Sequence, residues 1–234
     1  MSRSSVRAAQ RGTSRGTGRT PKPRAPLTRE RVLAAGVRLA DKGGLESLSM
    51  RKLAQALRVE AMSLYNHVTS RDDLLDGMVD LVVAEIDLPQ VDAPWKGEMR
   101  RRALSARDML RRHPWAPALL MSRINVGPHM LRYIDATLGC LRGAGFTIAQ
   151  TDYAWNALDS YVYGFTLHEQ NFPVEPSAYA SAAESFLPML PADRYPHMRA
   201  MTEELIAGRH DGVVPVEFGL ELMLDGLERL LAAT

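Results

Sequence analysis

The side chains best suited to chemistry on another molecule stand between Ser49 and Val68, in the run SMRKLAQALRVEAMSLYNHV. Asn66 carries an amide that can bond bidentately to adenine in a DNA major groove. His67 beside it can read a base edge or touch a phosphate, and the spacing leaves both open. Ala61 and Met62 suit a thymine methyl, and the Ser63 hydroxyl suits either kind of base-edge group. Met50, Arg51 and Lys52 are suited to backbone and groove-edge contacts, and the Tyr65 hydroxyl can reach a phosphate. This is the chemistry of reading a duplex, not of making or breaking bonds.

Two short helices must position these groups. In the first, Leu53, Ala54 and Leu57 recur at i, i+1 and i+4 and make one apolar stripe, with Ser49 ahead as a cap. In the second, Ala61, Leu64, Tyr65 and Val68 recur at the period of one helix face. Arg58, Val59 and Glu60 leave room only for a tight turn, with Val59 plugging the angle between the helices. That is a helix-turn-helix, whose second helix lies in the major groove. A helix over Thr28 to Lys42, with Val32, Leu33, Gly36, Leu39 and Ala40 as its stripe, precedes it and is stopped by Gly43-Gly44. Leu45 and Leu48 then fold back, and the three apolar faces complete a small core. Ser70, followed three residues later by Asp73, has the signature of a capping box and opens a helix from about Arg71 to Ile86. Asp72 and Asp73 are neighbours that face apart on a helix, so they are dipole partners and not a catalytic pair.

Composition limits the alternatives. Seven basic residues and no acids occupy positions 1–26, leaving 22 basic against 27 acidic residues in the rest of the 234. A basic arm on an acidic body suits a nucleic-acid partner. The arm, poor in apolar residues, is expected to be disordered, serving as a phosphate or minor-groove contact or as a solubilising tail. Cys140 is the only cysteine, so no disulfide framework or cysteine-rich metal site exists, and a buried apolar role is expected for it. No apolar segment marks a secretory signal or approaches the ~20 residues of a membrane span, and the cytoplasm is the default compartment. The chain lacks G-x-S-x-G, P-loop, G-x-G-x-x-G and H-E-x-x-H motifs, so no catalytic residue, metal or cofactor is expected.

The run ERVLAAGVRLADKGGLESLSMRKLAQALRVEAMSLYNHVTSRDDLLDGMVD resembles the N-terminal DNA-binding domain of the TetR family of transcriptional repressors. The Gly43-Gly44 stop, the Met50–Ala54 start, the Val59 turn, Leu64-Tyr65 with His67-Val68, and Arg71 with Leu74-Leu75 carry the likeness. It implies that the helix after Ser70 links head to body and that Arg71 reaches a phosphate. The run GPHMLRYIDATLGCLRGAGFTIAQTDYAWNALDSYVYGFTLHEQNF resembles, more loosely, the C-terminal domain of the tetracycline-repressor branch. That implies a homodimer whose 152–169 and 215–231 helices pair as a four-helix bundle. Both helices are apolar around more of their circumference than one core face requires.

The expected organisation is all-α, with an arm at 1–26, a DNA-binding head at 27–87, and a ligand-binding and dimerisation domain at 95–234. Helices are expected over Trp95–Arg112, Ala118–Arg123, His129–Gly143, Asp152–Glu169, Ala178–Leu187 and Pro215–Leu231. Leu131, Ile134, Leu138 and Leu141 should pack, as should Tyr153, Trp155, Leu158, Tyr161, Val162 and Phe165, and Phe218, Leu222, Leu227, Leu230 and Leu231. The arginines at 100–102, 107, 111 and 112 are expected on a solvated face. Trp115, Met121, Ile124, Asn125, His129, Tyr133, Trp155, Asp159, Tyr163 and His168 stand on helices that could converge as a largely apolar ligand pocket. By resemblance, Asn125 occupies the place of a metal-binding histidine of the tetracycline branch, which argues against a magnesium–tetracycline ligand. His129 and His168 are the possible substitutes, without a metal-spacing motif.

The expected function is ligand-responsive repression: a homodimer binds a palindromic operator in double-stranded DNA and a small-molecule effector releases it. A same-fold activator or ligand-independent DNA binder is one alternative. A helical binding protein or enzyme with a vestigial head is another.

Overall fold

A computed structural model describes residues 26–233. The basic arm expected at 1–26 lies outside these residues except for Pro26. Every regular element among the described residues is helical.

The head is α1 (Arg29–Gly43), α2 (Met50–Leu57) and α3 (Ala61–Leu64), continued by α4 (Arg71–Val83). Each expected N-cap bond is formed, although the Asp73 carboxylate returns to Thr69 N and not to Ser70 N, so the expected capping box is half made. Thr28 Oγ1 accepts from Arg31 N, Ser49 Oγ from Lys52 N, and Ser70 Oγ from Asp73 N. Gly44 closes α1 at φ 69°, a conformation that side-chain-bearing residues disfavour. Leu53, Leu64 and Val68 are wholly buried with Val32 and Leu48, so the apolar stripes meet as expected. The second helix of the motif is shorter than its pattern suggests. Only one α turn forms, and Tyr65–His67 continue as hydrogen-bonded turns in which His67 N and Val68 N both donate to Leu64 O. Tyr65, assigned by periodicity to the packed face, is exposed.

The body comprises α5 (Trp95–Arg112), α6 (Ala116–Ser122), α7 (Pro128–Gly143), α8 (Ile148–Asn171), α9 (Tyr179–Phe186), α10 (Pro196–Ile206) and α11 (Val216–Ala232). Thr147 and Gln150 form a reciprocal capping box, which starts α8 four residues before its expected Asp152. α4 stops at Val83, three residues short of the expected end. α10 forms in a stretch for which the sequence pattern predicts no helix. Cys140 is buried among apolar neighbours.

Three packing expectations are corrected. Leu131 and Tyr153 are exposed, because α7 and α8 turn Tyr133, Thr137, Leu141, Ala154, Leu158 and Val162 inward instead. On α11 the buried line is Val216, Leu220 and Leu224, while Phe218, Leu222 and Leu230 form a second, exposed line. The arginine face is not simply solvated: Arg102 is 0% exposed at the centre of the body.

Candidate DNA interface and ligand cavity

The helix-turn-helix presents its chemistry outward. Met62 is 75% exposed, Tyr65 and Asn66 are exposed, and Ala61, Ser63 and His67 are half-buried. Leu64 and Val68 anchor this short segment from below. Arg51 and Lys52 open α2 on its exposed side, with Met50 half-buried ahead of them. Arg71 is exposed at the start of α4, its guanidinium 3.5 Å from Leu45 O. Arg58, which periodicity did not single out, closes α2 at φ 57° and ψ 48°, a non-glycine residue in the left-handed region.

Charge separates the two halves of the chain. None of Arg51, Lys52, Arg58 and Arg71 forms an ion pair among the described residues. In the body, Arg100 pairs with Glu221, Arg101 with Glu98 and Asp87, Arg107 with Glu169, and Arg112 with Glu85. Cations that neutralise phosphates must not already be neutralised, and the group around the motif meets that condition.

Six of the ten expected ligand residues line one cavity of 470 Å³: Met121, Asn125, Tyr133, Trp155, Asp159 and Tyr163. Leu120, Met130 and Ile134 supply apolar wall, and Asn156 and Ser160 add polar groups. The other four stand elsewhere. Trp115 donates from Nε1 to Asp41 Oδ1 at 2.7 Å, between body and head. Ile124 and His129 line a separate cleft between α1, α4 and the α6–α7 connection. His168 is exposed and lies against the Phe172 ring. Seven of the ten stand on helices, whereas Trp115 precedes α6 and Ile124 and Asn125 lie in the α6–α7 connection, and spacing does not say which cleft each faces.

The polar floor of the cavity is a buried network in which Arg102 joins the expected Tyr133, Trp155, Asp159 and Tyr163. Asp159 Oδ1 accepts from Arg102 Nη1 at 2.7 Å and from the Tyr133 hydroxyl at 3.4 Å. Its Oδ2 accepts from Trp155 Nε1 at 2.7 Å and from the Tyr163 hydroxyl at 3.3 Å. Arg102 also donates to the Tyr133 hydroxyl. Burial opposes the guanidinium charge, but Tyr133, Asp159 and Tyr163 outweigh it and raise its pKa above the ordinary arginine value. Burial pushes both phenols up, so they stay neutral hydrogen-bonding groups. Arg102 was hidden by its neighbours, since a run of three arginines reads as surface.

Polar ties join body to head. Arg123, at the end of α6, holds Asp76 at 2.6 Å and Asp72 at 3.1 Å on α4. Asp80 of α4 accepts from Met130 N at 2.9 Å. Gly127, the residue before α7, has no side chain to cap that helix, so α4 supplies the acceptor. A Cβ at Gly127 would lie 2.2 Å from the Asp80 carboxyl, which fixes glycine there. His113 lies between Asp41 of α1 at 2.7 Å and Glu85 at 3.1 Å. Asn125 faces the cavity, donates to Arg123 O at 3.1 Å and Leu120 O at 3.3 Å, and keeps a buried Oδ1 without a partner among the described residues.

A helix-turn-helix with unpaired cations, joined to a helical body whose cavity has an apolar wall and a polar floor, defines the class of DNA-binding regulators with a ligand domain. Comparison with known proteins narrows the class. Residues 32–78 match the model for bacterial regulatory proteins of the tetR family, and residues 88–231 that for the tetracyclin repressor-like C-terminal domain. The HTH-type transcriptional repressor DrrR1 of Streptomyces coeruleorubidus is 34% identical over 92% of this chain and 83% of its own. The class D tetracycline repressor protein of Escherichia coli is 30% identical over 89% of this chain and 93% of its own. Among solved structures, apo ActR of Streptomyces coelicolor superposes with a TM-score of 0.76 at 28% identity, covering 89% of this chain and 98% of ActR. ActR in complex with actinorhodin gives 0.74 at 27% identity, over 89% and 97% of the two chains. The chain belongs to the TetR family of transcriptional regulators and is not an enzyme. Among the described residues no helix is long and apolar enough to cross a membrane.

Proposed function

We propose that this regulator represses transcription as a homodimer on a palindromic operator and is released by a small-molecule effector bound in the body cavity. One observation carries the reading: the cavity wall is bonded to the residue that grips α4. Asn125 holds the Arg123 carbonyl, and the Arg123 guanidinium holds Asp72 and Asp76 beside the recognition segment. An effector that turns the Asn125 amide to pair its buried Oδ1 takes Nδ2 away from the Arg123 and Leu120 carbonyls and so alters the hold of α6 on α4. The effector shifts the head only by its differential affinity for the two arrangements. Moving a population from 1:99 to 99:1 takes about 5.5 kcal/mol of such difference.

The Met50–Lys52 group and the Ala61–His67 segment are the DNA-reading surface, with Arg71 as a phosphate contact. The six residues gathered in the cavity are the effector site. His129 and His168 stand outside it, so a metal-bridged effector has no histidine there. The exposed apolar line of Phe218, Leu222 and Leu230 on α11, beside α8, is the face that a second copy would cover. Two-fold symmetry then places two recognition segments one DNA turn apart. The proteins named above include an actinorhodin complex and a tetracycline repressor, which supports a small-molecule effector in general and no particular one here.

The test is binding to the DNA upstream of its own gene, titrated against salt and unrelated competitor. Specific binding to a two-fold symmetric site, weakened by a compound that protects the protein against thermal unfolding, is expected. Weak, steeply salt-dependent binding to any duplex would overturn the reading.

A further inference from the structure

We propose that Arg29, at the first position of α1, is a positioning residue that holds the base-reading turn in place without touching DNA. The inference rests on the DNA-binding reading above. α3 ends after one turn, so Asn66 and His67 lie beyond its regular hydrogen bonding. A carbonyl there has no helical donor and must find one elsewhere. Arg29 Nη1 supplies it, donating to His67 O at 2.8 Å.

The same guanidinium forks onto Asp73 of α4, with Nη1 at 3.1 Å from Oδ2 and Nη2 at 2.5 Å from Oδ1. Asp73 in turn accepts from Thr69 N at 2.7 Å and from Thr69 Oγ1 at 3.0 Å. One planar cation therefore ties the exit of the reading turn, the Thr69-Ser70 connection and the first turn of α4 to α1. A guanidinium offers several donors in a fixed plane, whereas a lysine ammonium is a single point charge on a flexible stem. A cation at the first turn of a head helix would otherwise be taken for a phosphate contact. Here its charge is already matched by Asp73, unlike Arg51, Lys52, Arg58 and Arg71.

The two roles make opposite demands on salt dependence. The full chain and its Arg29→Gln, Arg29→Lys and Asp73→Asn variants would be titrated on the upstream duplex and on an unrelated duplex across a salt series. If Arg29 positions the turn, each variant loses on the order of tenfold on the specific duplex, the size of one misplaced base contact. Binding to the unrelated duplex and both salt slopes stay as in the wild type. Arg29→Lys, which keeps the charge and loses the fork, fails to restore specificity. An equal loss on both duplexes with the salt slope reduced by about one would make Arg29 a phosphate contact and overturn the proposal. Unchanged discrimination in Arg29→Lys and Asp73→Asn would overturn it as well, even if Arg29→Gln failed to fold. A wild type that showed no preference between the duplexes would instead overturn the DNA-reading assignment beneath it.

Discussion

At the scale of single residues, the sequence shows which groups can act but not always which are free to act. Asn66 is exposed as its pattern demanded. Asn66→Ala is expected to cost about 1–3 kcal/mol on the operator and to relax specificity at one base pair, read by binding to a set of single-base operator variants. A uniform loss across that set would make Asn66 a positioning group. Arg58 gives a prediction of opposite sign for stability. Its left-handed conformation suits glycine, so Arg58→Gly should stabilise the fold by about 1 kcal/mol, measured by urea or thermal unfolding. Arg102 was illegible because charge normally predicts exposure, and only the tertiary placement of Asp159 against it makes burial tolerable. Arg102→Met leaves that carboxylate buried and unmatched, and should destabilise the protein by roughly 3–5 kcal/mol. The double variant Arg102→Met with Asp159→Leu should recover much of that loss in the same unfolding assay.

At the scale of elements, caps and stripes were readable because they are local. Thr28, Ser49 and Ser70 each accept the bond their position promised. Helix ends governed by partners elsewhere were not. α7 depends on Asp80, fifty residues away, for its N-terminal acceptor. α10 has Met198, Met201, Thr202 and Leu205 at helical spacing, yet the prolines before it masked the pattern. The junction of α1 with α4 also carries a pH dependence. The Arg29 guanidinium bonded to Asp73 holds that carboxyl down to about 2, against an unfolded value near 3.9. A depressed acid contributes stability that is fully present above its unfolded pKa and lost as pH falls through the folded one. Unfolding free energy should therefore decline through this pair between about pH 4 and pH 2. Asp73→Asn should remove that component, seen as a shallower slope in denaturation curves over the same window.

At the scale of the whole molecule, the two apolar lines of α11 separate what one chain buries from what it leaves uncovered. Periodicity had put Phe218 and Leu222 with the packed residues, because a sequence does not distinguish a core from an interface. On the dimer reading, Leu222→Glu should convert the protein to monomers in sedimentation experiments while leaving its helical content intact. Operator affinity should fall steeply, since two half-sites are then bound independently. An unchanged sedimentation coefficient would remove α11 from the interface.

The placement of α4 has one more effect. It packs on α1 on one side and on α5, α6 and α7 on the other, and the buried apolar residues run without a gap from Val32 to Leu224. Neither lobe can lose its structure without stripping a wall from the other. The lobes should therefore melt as one unit in calorimetry, with equal calorimetric and van't Hoff enthalpies. A compound lodged in the cavity would also raise the temperature at which the distant reading turn unravels, by mass action alone and without contacting it.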